Sequence, residues 1–316
     1  MNKFLLILCM LFAVSAEARN LVLPPGDVDL VGDLRTIFSK EGESLLHIAR
    51  DHGIGQDEIV LANPQVDRWL PSVGSQVVLP SRYILPDAPR SGLVLNLPEM
   101  RIYYYTGESK DEPGVLRLIT HPVSVGRMDW NTPLGTTKVV AKKKDPTWTP
   151  PESIRREHEE AGDPLPEVVP AGPDNPLGQY AMRLGIPGYL IHSTNKPYGV
   201  GMRVTHGCVR MYPEDMEVFF DQVPVNTEVT LVNQPIKVGW YGGQLYIEIH
   251  PPMDEDKVSD EQLLEQALTL VRAKVGENPQ IAVRWSLLRQ AVAEKSGIPQ
   301  IISRDESVQA LSLTRQ

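Results

Sequence analysis

The segment Ile191-His192-Ser193-Thr194-Asn195-Lys196-Pro197-Tyr198-Gly199-Val200-Gly201-Met202-Arg203-Val204-Thr205-His206-Gly207-Cys208-Val209-Arg210-Met211 decides how this chain is read. It holds two of the seven histidines and one of the two cysteines. A thiol becomes a working nucleophile when a base takes its proton or a cation stabilises the thiolate. His192, His206 and Arg210 offer both kinds of neighbour to Cys208. Residues two apart in an extended stretch share a side, so His206 is near the thiol without being aimed at it. His192 follows Tyr189-Leu190-Ile191, which reads as a strand, and the loop with Gly199 and Gly201 can bring it opposite Cys208. Spacing alone leaves both histidines open as the base.

Working outward, the N-terminus reads as a secretory signal over residues 1–18. Met1-Asn2-Lys3 is a short basic start, Phe4 to Val14 is a run of 11 apolar residues, and Ala16-Glu17-Ala18 supplies small residues for cleavage. The run is shorter than the roughly 20 residues that cross a bilayer, so export and not membrane anchoring is expected. Cys9 lies in that run behind Leu8, which disfavours a lipidated cysteine. Its removal leaves Cys208 as the sole thiol, with no internal disulfide. The polar, glycine-bearing setting Thr205-His206-Gly207-Cys208 argues against a core cysteine. The 316 residues, 41% hydrophobic and 22% charged, suit a soluble protein of two or three domains. A net charge of -9 and the lack of a basic run point away from nucleic acid.

Residues 34–80 read strand, helix, helix, strand. Leu34 to Phe38 suits a strand, and Ser44 suits the cap of a helix bearing Leu45, Ile48 and Ala49 on one face and ending at Gly53. A second helix is expected over about Gln56 to Ala62, and a second strand over Gln76 to Leu79. Gly42-Glu43-Ser44-Leu45, Ala62-Asn63-Pro64 and Pro71-Ser72-Val73-Gly74 make this stretch resemble a LysM module. The resemblance implies binding to the glycan strands of peptidoglycan. Residues Asn20 to Asp33 carry adjacent prolines and no period, and look like a lead-in; Pro86, Pro89 and Gly92 look like a linker.

From Gly92 the pattern is β-rich, with strands expected at Gly92 to Leu97, Met100 to Tyr105, Val115 to Val125, Thr136 to Lys144, Leu190 to Ser193 and Glu228 to Val232. These suggest a mainly β, antiparallel domain with a few helices, spanning 90–233. Residues 145–178 hold eight prolines and sustain no period, so they read as a structureless insertion, either solvated or a lid over a groove. Pro213, Glu214 and Asp215 suit a helix start, with Met216, Phe219, Phe220 and Val223 on one face. The remainder, 234–316, reads as a small α+β subdomain with a Gly242-Gly243 hairpin and two helices. Asp254-Glu255-Asp256 reads as a solvated turn, and His47, His52, His121, His158 and His250 as surface or structural residues.

His192-Ser193, then Gly199 and Gly201, then Thr205-His206-Gly207-Cys208-Val209-Arg210, closely resembles the signature of L,D-transpeptidases of the YkuD type, periplasmic Gram-negative branch. The likeness extends to Pro146-Thr147-Trp148-Thr149-Pro150 and Asn175-Pro176-Leu177-Gly178. It implies Cys208 as nucleophile and His192 as base. It further implies Ser193 orienting His192 through its carbonyl, His206 and Gly207 shaping the oxyanion site with the Cys208 amide, and Arg210, Thr205 and Trp148 toward substrate. It implies no metal or organic cofactor, and a peptidoglycan stem peptide as substrate. The product would be a 3–3 cross-link or a wall-anchored outer-membrane lipoprotein. Three alternatives are set against it. Cysteine peptidases place Cys before His, unlike this order. A zinc site of His192, His206 and Cys208 lacks a fourth ligand at a familiar spacing. A non-catalytic or hydrolytic peptidoglycan-binding protein remains the runner-up, opposed by the intact His192, Cys208 and Arg210.

Overall fold

The structure, a computed structural model, describes residues 19–23, 28–108, 115–127, 130, 132–276 and 281–304. The expected signal segment 1–18 lies outside the described residues.

The N-terminal elements are β1 (Arg19–Val22), β2 (Leu30–Gly32), β3 (Arg35–Phe38), α1 (Leu45–Asp51), α2 (Gln56–Ala62), β4 (Gln76–Leu79) and β5 (Arg82–Ile84). β3 pairs antiparallel with β4, from Arg35 against Leu79 to Phe38 against Gln76. The Ser44 hydroxyl accepts from the His47 amide at 3.2 Å, which satisfies one orphan donor of α1. Leu45, Ile48, Ala49, Ile54, Ile59, Val77 and Leu79 form the core of this βααβ unit. Each of the Leu, Ile and Val side chains contributes about 1.5–3 kcal/mol on burial. Asn63 ties helix to strand: its amide donates to the carbonyls of Ile59 and Val78 and its oxygen accepts from the Val78 amide.

The stretch expected as an unpatterned lead-in is instead structured. β2 pairs with β5, and β1 pairs with a strand of the main sheet. Strands of three and four residues are too short to display a period, and their ladder partners lie about 50 to 100 positions away.

The middle of the chain supplies β6 (Gly92–Asn96), β7 (Arg101–Glu108), β8 (Leu116–Pro122), β9 (Val125–Gly126), β10 (Gly135–Lys144), α3 (Glu152–Glu160), β11 (Tyr180–Leu184), β12 (Leu190–His192), β13 (Arg203–Thr205), β14 (Val209–Arg210), α4 (Pro213–Gln222) and β15 (Glu228–Val232). The main sheet runs β1-β8-β7-β6-β15-β10-β11-β12-β14. The expected antiparallel arrangement holds only in part: β6 with β15 and β12 with β14 are parallel pairs in this sheet, and β9 with β13 form a separate parallel pair. Strand direction follows the crossovers, which side-chain alternation does not encode. Leu93, Val94 and Leu95 are all fully buried because both faces of β6 are covered. Leu93 and Leu95 face the larger core with Ile102, Tyr104, Met216 and Phe219. Val94 faces the other way, with Tyr83, Tyr103 and Tyr105.

The proline-rich insertion is ordered, contrary to the structureless reading. Trp148 and Val169 exchange two backbone hydrogen bonds of 2.9 and 2.7 Å. The fully buried Asn175 donates to the carbonyls of Pro146 and Pro170 and accepts from the Leu177 amide. α3 buries only Ile154, so it has no apolar stripe that a sequence period could reveal.

The last elements are β16 (Ile236–Tyr241), β17 (Gln244–Ile249), α5 (Asp260–Gly276), β18 (Ala282–Val283), α6 (Trp285–Glu294), β19 (Gln300–Ile301) and β20 (Ser303–Arg304). Tyr241 pairs with Gln244 across Gly242 and Gly243, whose φ values of 57° and 73° require glycine in this two-residue turn. A buried ion cluster joins this subdomain to the sheet. Lys237 Nζ lies 2.8 Å from Glu99 and 2.7 Å from Glu248, and Glu248 also accepts from the Ile84 amide and contacts His250. Glu99, Glu248 and His250 converge as a metal site would, but the Lys237 ammonium already occupies the cation position. Lys237→Ala leaves two buried carboxylates without their cation and should destabilise the fold by about 3–5 kcal/mol. Chemical denaturation of parent and variant checks this; equal midpoints would show that the cluster contributes nothing.

Candidate active site

The parallel pairing of β12 with β14 builds the site. Ile191 stands opposite Val209 and His192 opposite Arg210. Paired residues share a face, which puts His192 and Arg210 on one side, and Cys208 lies just ahead of β14, where its thiol feels the Arg210 charge. Ile191, Val209 and Met211, on the opposite side, are buried in the main core. The Ser193 amide donates to the Tyr180 carbonyl and the Met211 amide to the His192 carbonyl, both at 2.9 Å. His192 is thereby held from two neighbouring strands.

His192 is 4% exposed, and its Nδ1 lies 2.5 Å from the Ser193 carbonyl oxygen. A carbonyl only accepts, so Nδ1 carries the proton and Nε2 keeps its lone pair. Burial, and then the Arg210 charge, push the imidazole down to about 4, against opposing help from the carbonyls of Ser193 and Leu177. Cys208 remains partly exposed, with its Sγ 3.6 Å from the Gly188 carbonyl. Burial raises the thiol, while a backbone hydrogen bond from Leu190 and the Arg210 charge oppose that rise. Both shifts favour the neutral forms of thiol and imidazole. Arg210 Nε has no hydrogen-bond partner among the described residues, and burial lowers the guanidinium against the pull of a Cys208 thiolate. A cation so placed is available to an anion formed or bound here.

His206 goes elsewhere. Its Nε2 lies 3.0 Å from Glu157 on α3, whose other oxygen accepts from Arg127 at 2.5 Å. Its ring meets Trp130 edge to face at 5.1 Å. The imidazole nearer in sequence to Cys208 is thus engaged by the ordered insertion. Thr205, expected toward substrate, is 2% exposed and donates its hydroxyl to the Cys208 carbonyl at 2.6 Å, closing the turn before the thiol. Trp148 is half-buried and ladders with Val169 through its backbone.

Several contributors were not singled out in the sequence. The Thr132 hydroxyl donates to the Gly207 carbonyl at 2.9 Å and accepts from the Gly126 amide at 3.0 Å. Ser124 and Arg210 exchange backbone hydrogen bonds of 2.8 and 3.0 Å, and the Ser124 hydroxyl donates to Gly199 at 2.6 Å. Arg203 reaches Asp254 at 3.3 Å and Glu255 at 2.8 Å, so that acidic turn is an anchor for the loop and not merely solvated. These partners come from distant segments, and no local pattern marks them.

The sheet thus brings together a buried imidazole and a guanidinium whose Nε is unpartnered among the described residues, and the guanidinium acts electrostatically on the Cys208 thiol. The YkuD family, described as L,D-transpeptidase catalytic domain, matches residues 90–231. The Escherichia coli (strain K12) protein named "Probable L,D-transpeptidase YbiS" is 38% identical over 292 residues, 91% of this chain and 93% of its own length. "Probable L,D-transpeptidase YcfS" of the same strain is 37% identical over 93% of this chain and 91% of its own length. The solved L,D-transpeptidase from Mycobacterium smegmatis aligns over 52% of this chain and 71% of its own, with 21% identity and a TM-score of 0.31. The chain belongs to the L,D-transpeptidase family. No helix among the described residues is long and apolar enough to cross a membrane.

Proposed function

We propose that the protein is a cysteine-dependent L,D-transpeptidase that acts on peptidoglycan tetrapeptide stems. The observation that supports this reading is the β12–β14 register, which sets Arg210, two positions after Cys208, opposite a His192 whose Nδ1 meets the Ser193 carbonyl. In the first half-reaction His192 Nε2 takes the thiol proton as sulfur attacks the carbonyl of the third stem residue, a meso-diaminopimelate L-centre. The tetrahedral oxyanion is held by backbone donors near His206, Gly207 and Cys208. Its collapse breaks the peptide bond, the imidazolium returns the proton to the leaving D-Ala amine, and a thioester remains. In the second half-reaction an acceptor amine attacks the thioester and gives its proton to His192, and the thiol is released. An amine from a second diaminopimelate gives a 3–3 cross-link; the C-terminal Lys amine of an outer-membrane lipoprotein gives a wall-anchored protein. Arg210 and Trp148 contact the donor stem, and the insertion limits water at the thioester.

The βααβ unit at 34–80 acts as a LysM-like glycan-binding module. Trp69, Leu70 and Val73, each 65–76% exposed on the loop before β4, support a contact surface for sugar rings. In this reading the mature protein works in the periplasm after export and uses no cofactor.

The test incubates the purified chain with disaccharide-tetrapeptide. Intact-mass measurement should show a Cys208 adduct equal to the stem less D-Ala, and chromatography should show dimers joined through diaminopimelate. Only tripeptide product, with no dimer, would make the enzyme a hydrolase. No adduct and no product would overturn the reading.

A further inference from the structure

The N-terminal βααβ module does not hang from the catalytic sheet by a linker. The first amides of a helix lack partners within it, and in α2 they find them in the catalytic loop. Gln56 N donates to the Val200 carbonyl and Asp57 N to the Gly201 carbonyl, each at 3.1 Å. Backbone meets backbone here: a Cβ on Gly201, whose φ is 84°, would lie 2.3 Å from Gly55 Cα. Arg50 of α1 forms a two-pronged pair with Glu214, at 2.8 and 3.0 Å, in the first turn of the helix that follows Cys208. The buried Tyr212 hydroxyl donates to the Ile54 carbonyl at 3.2 Å. Glu58 pairs at 2.6 Å with Arg101 of β7, whose side chain is fully buried.

The gripped loop leads straight to the site. Gly199, next to Val200, accepts from the Ser124 hydroxyl, and Ser124 ladders with Arg210. Space at Gly199 is bounded by the guanidinium itself, since a Cβ there would lie 3.5 Å from Arg210 Nη1. A unit serving only as a wall anchor has no need of two helix-end hydrogen bonds to this loop and a buried ion pair to the sheet.

We infer that the N-terminal module is a positioning element of the active site, with Arg50, Glu214 and the Gly55–Gly201 contact fixing the loop that sets Arg210 beside Cys208. This rests on the acyl-transfer reading only for the use made of the thiolate. The module therefore has a second task apart from glycan contact, and its docking tunes how readily the thiol ionises.

The test follows iodoacetamide alkylation of Cys208 against pH in the full chain, for Arg50→Gln, Glu214→Gln and Gly201→Ala. Moving Arg210 away removes a cation that favours the thiolate, so all three variants should raise the apparent thiol pKa by about half to one unit. Carbapenem acylation at neutral pH should slow about three- to tenfold, following the lost positive field. Long-range charge alone gives a different pattern: removing Arg50 raises the thiol and removing Glu214 lowers it. Glu214→Gln is nearly isosteric and keeps a folded control in the set. Shifts of opposite sign in the two charge variants, or a parental profile in all three, would overturn the inference. Alkylation needs no acyl donor, so it reads the positioning even where the parent forms no acyl-enzyme, and that latter result counts against the acyl-transfer reading alone.

Discussion

Cys208→Ala should form no acyl-enzyme and no cross-linked product. Cys208 is the one described thiol, and Ala offers no atom able to bond the carbonyl carbon. The parent, incubated with a carbapenem, should gain one adduct mapped by peptide mass spectrometry to Cys208, and the variant should gain none. The fold should tolerate the change, because the thiol is partly exposed and its contact with the Gly188 carbonyl, at 3.6 Å, is weak. A folded Cys208→Ala protein that still acquires the adduct would place the nucleophile elsewhere.

His192→Ala should cost about 10²- to 10⁴-fold in acylation rate, the usual size of general-base assistance. His206→Ala should cost about tenfold or less: it loses the Glu157 contact and the Trp130 packing but not the base. The reverse order would give the base role to His206. The pH profile offers a second readout. Burial and Arg210 depress the His192 imidazole to about 4, so it stays neutral as pH falls from 7 to 5. As pH falls through that value the ring gains a proton, Nε2 ceases to accept, and the rate drops. The acid limb of acylation should therefore lie near 4; a limb near the ordinary 6.5 would mean the ring is solvated in the working enzyme.

Which parts of this were legible in advance follows from the range of the forces involved. The α1 cap at Ser44, the limits of α2 and β4, and the apolar face of α4 depend on neighbours within a few residues, and the structure places them as expected. The short strands β1, β2 and β5 left no period, and α3 hid because one buried Ile154 cannot make a stripe. The parallel pairs were illegible because alternation tells which face a residue takes, not which way the neighbouring strand runs. Ser124, Thr132 and Glu157 reach the site across the fold and carry no motif of their own.

By itself the sequence determined the candidate chemistry: a thiol, two imidazoles and a guanidinium in a glycine-broken order that belongs to one family. Spacing left the base open, since it cannot orient a ring, and the resemblance to that family pointed to His192. Only the tertiary structure shows the different surroundings of the two histidines: β12 pairs with β14 so that His192 stands opposite Arg210, while Glu157 of the insertion engages His206. The same holds for the N-terminal module. Its βααβ pattern is local and readable, but its grip on Val200 and Gly201 is made by backbone groups, which every sequence has and no sequence labels.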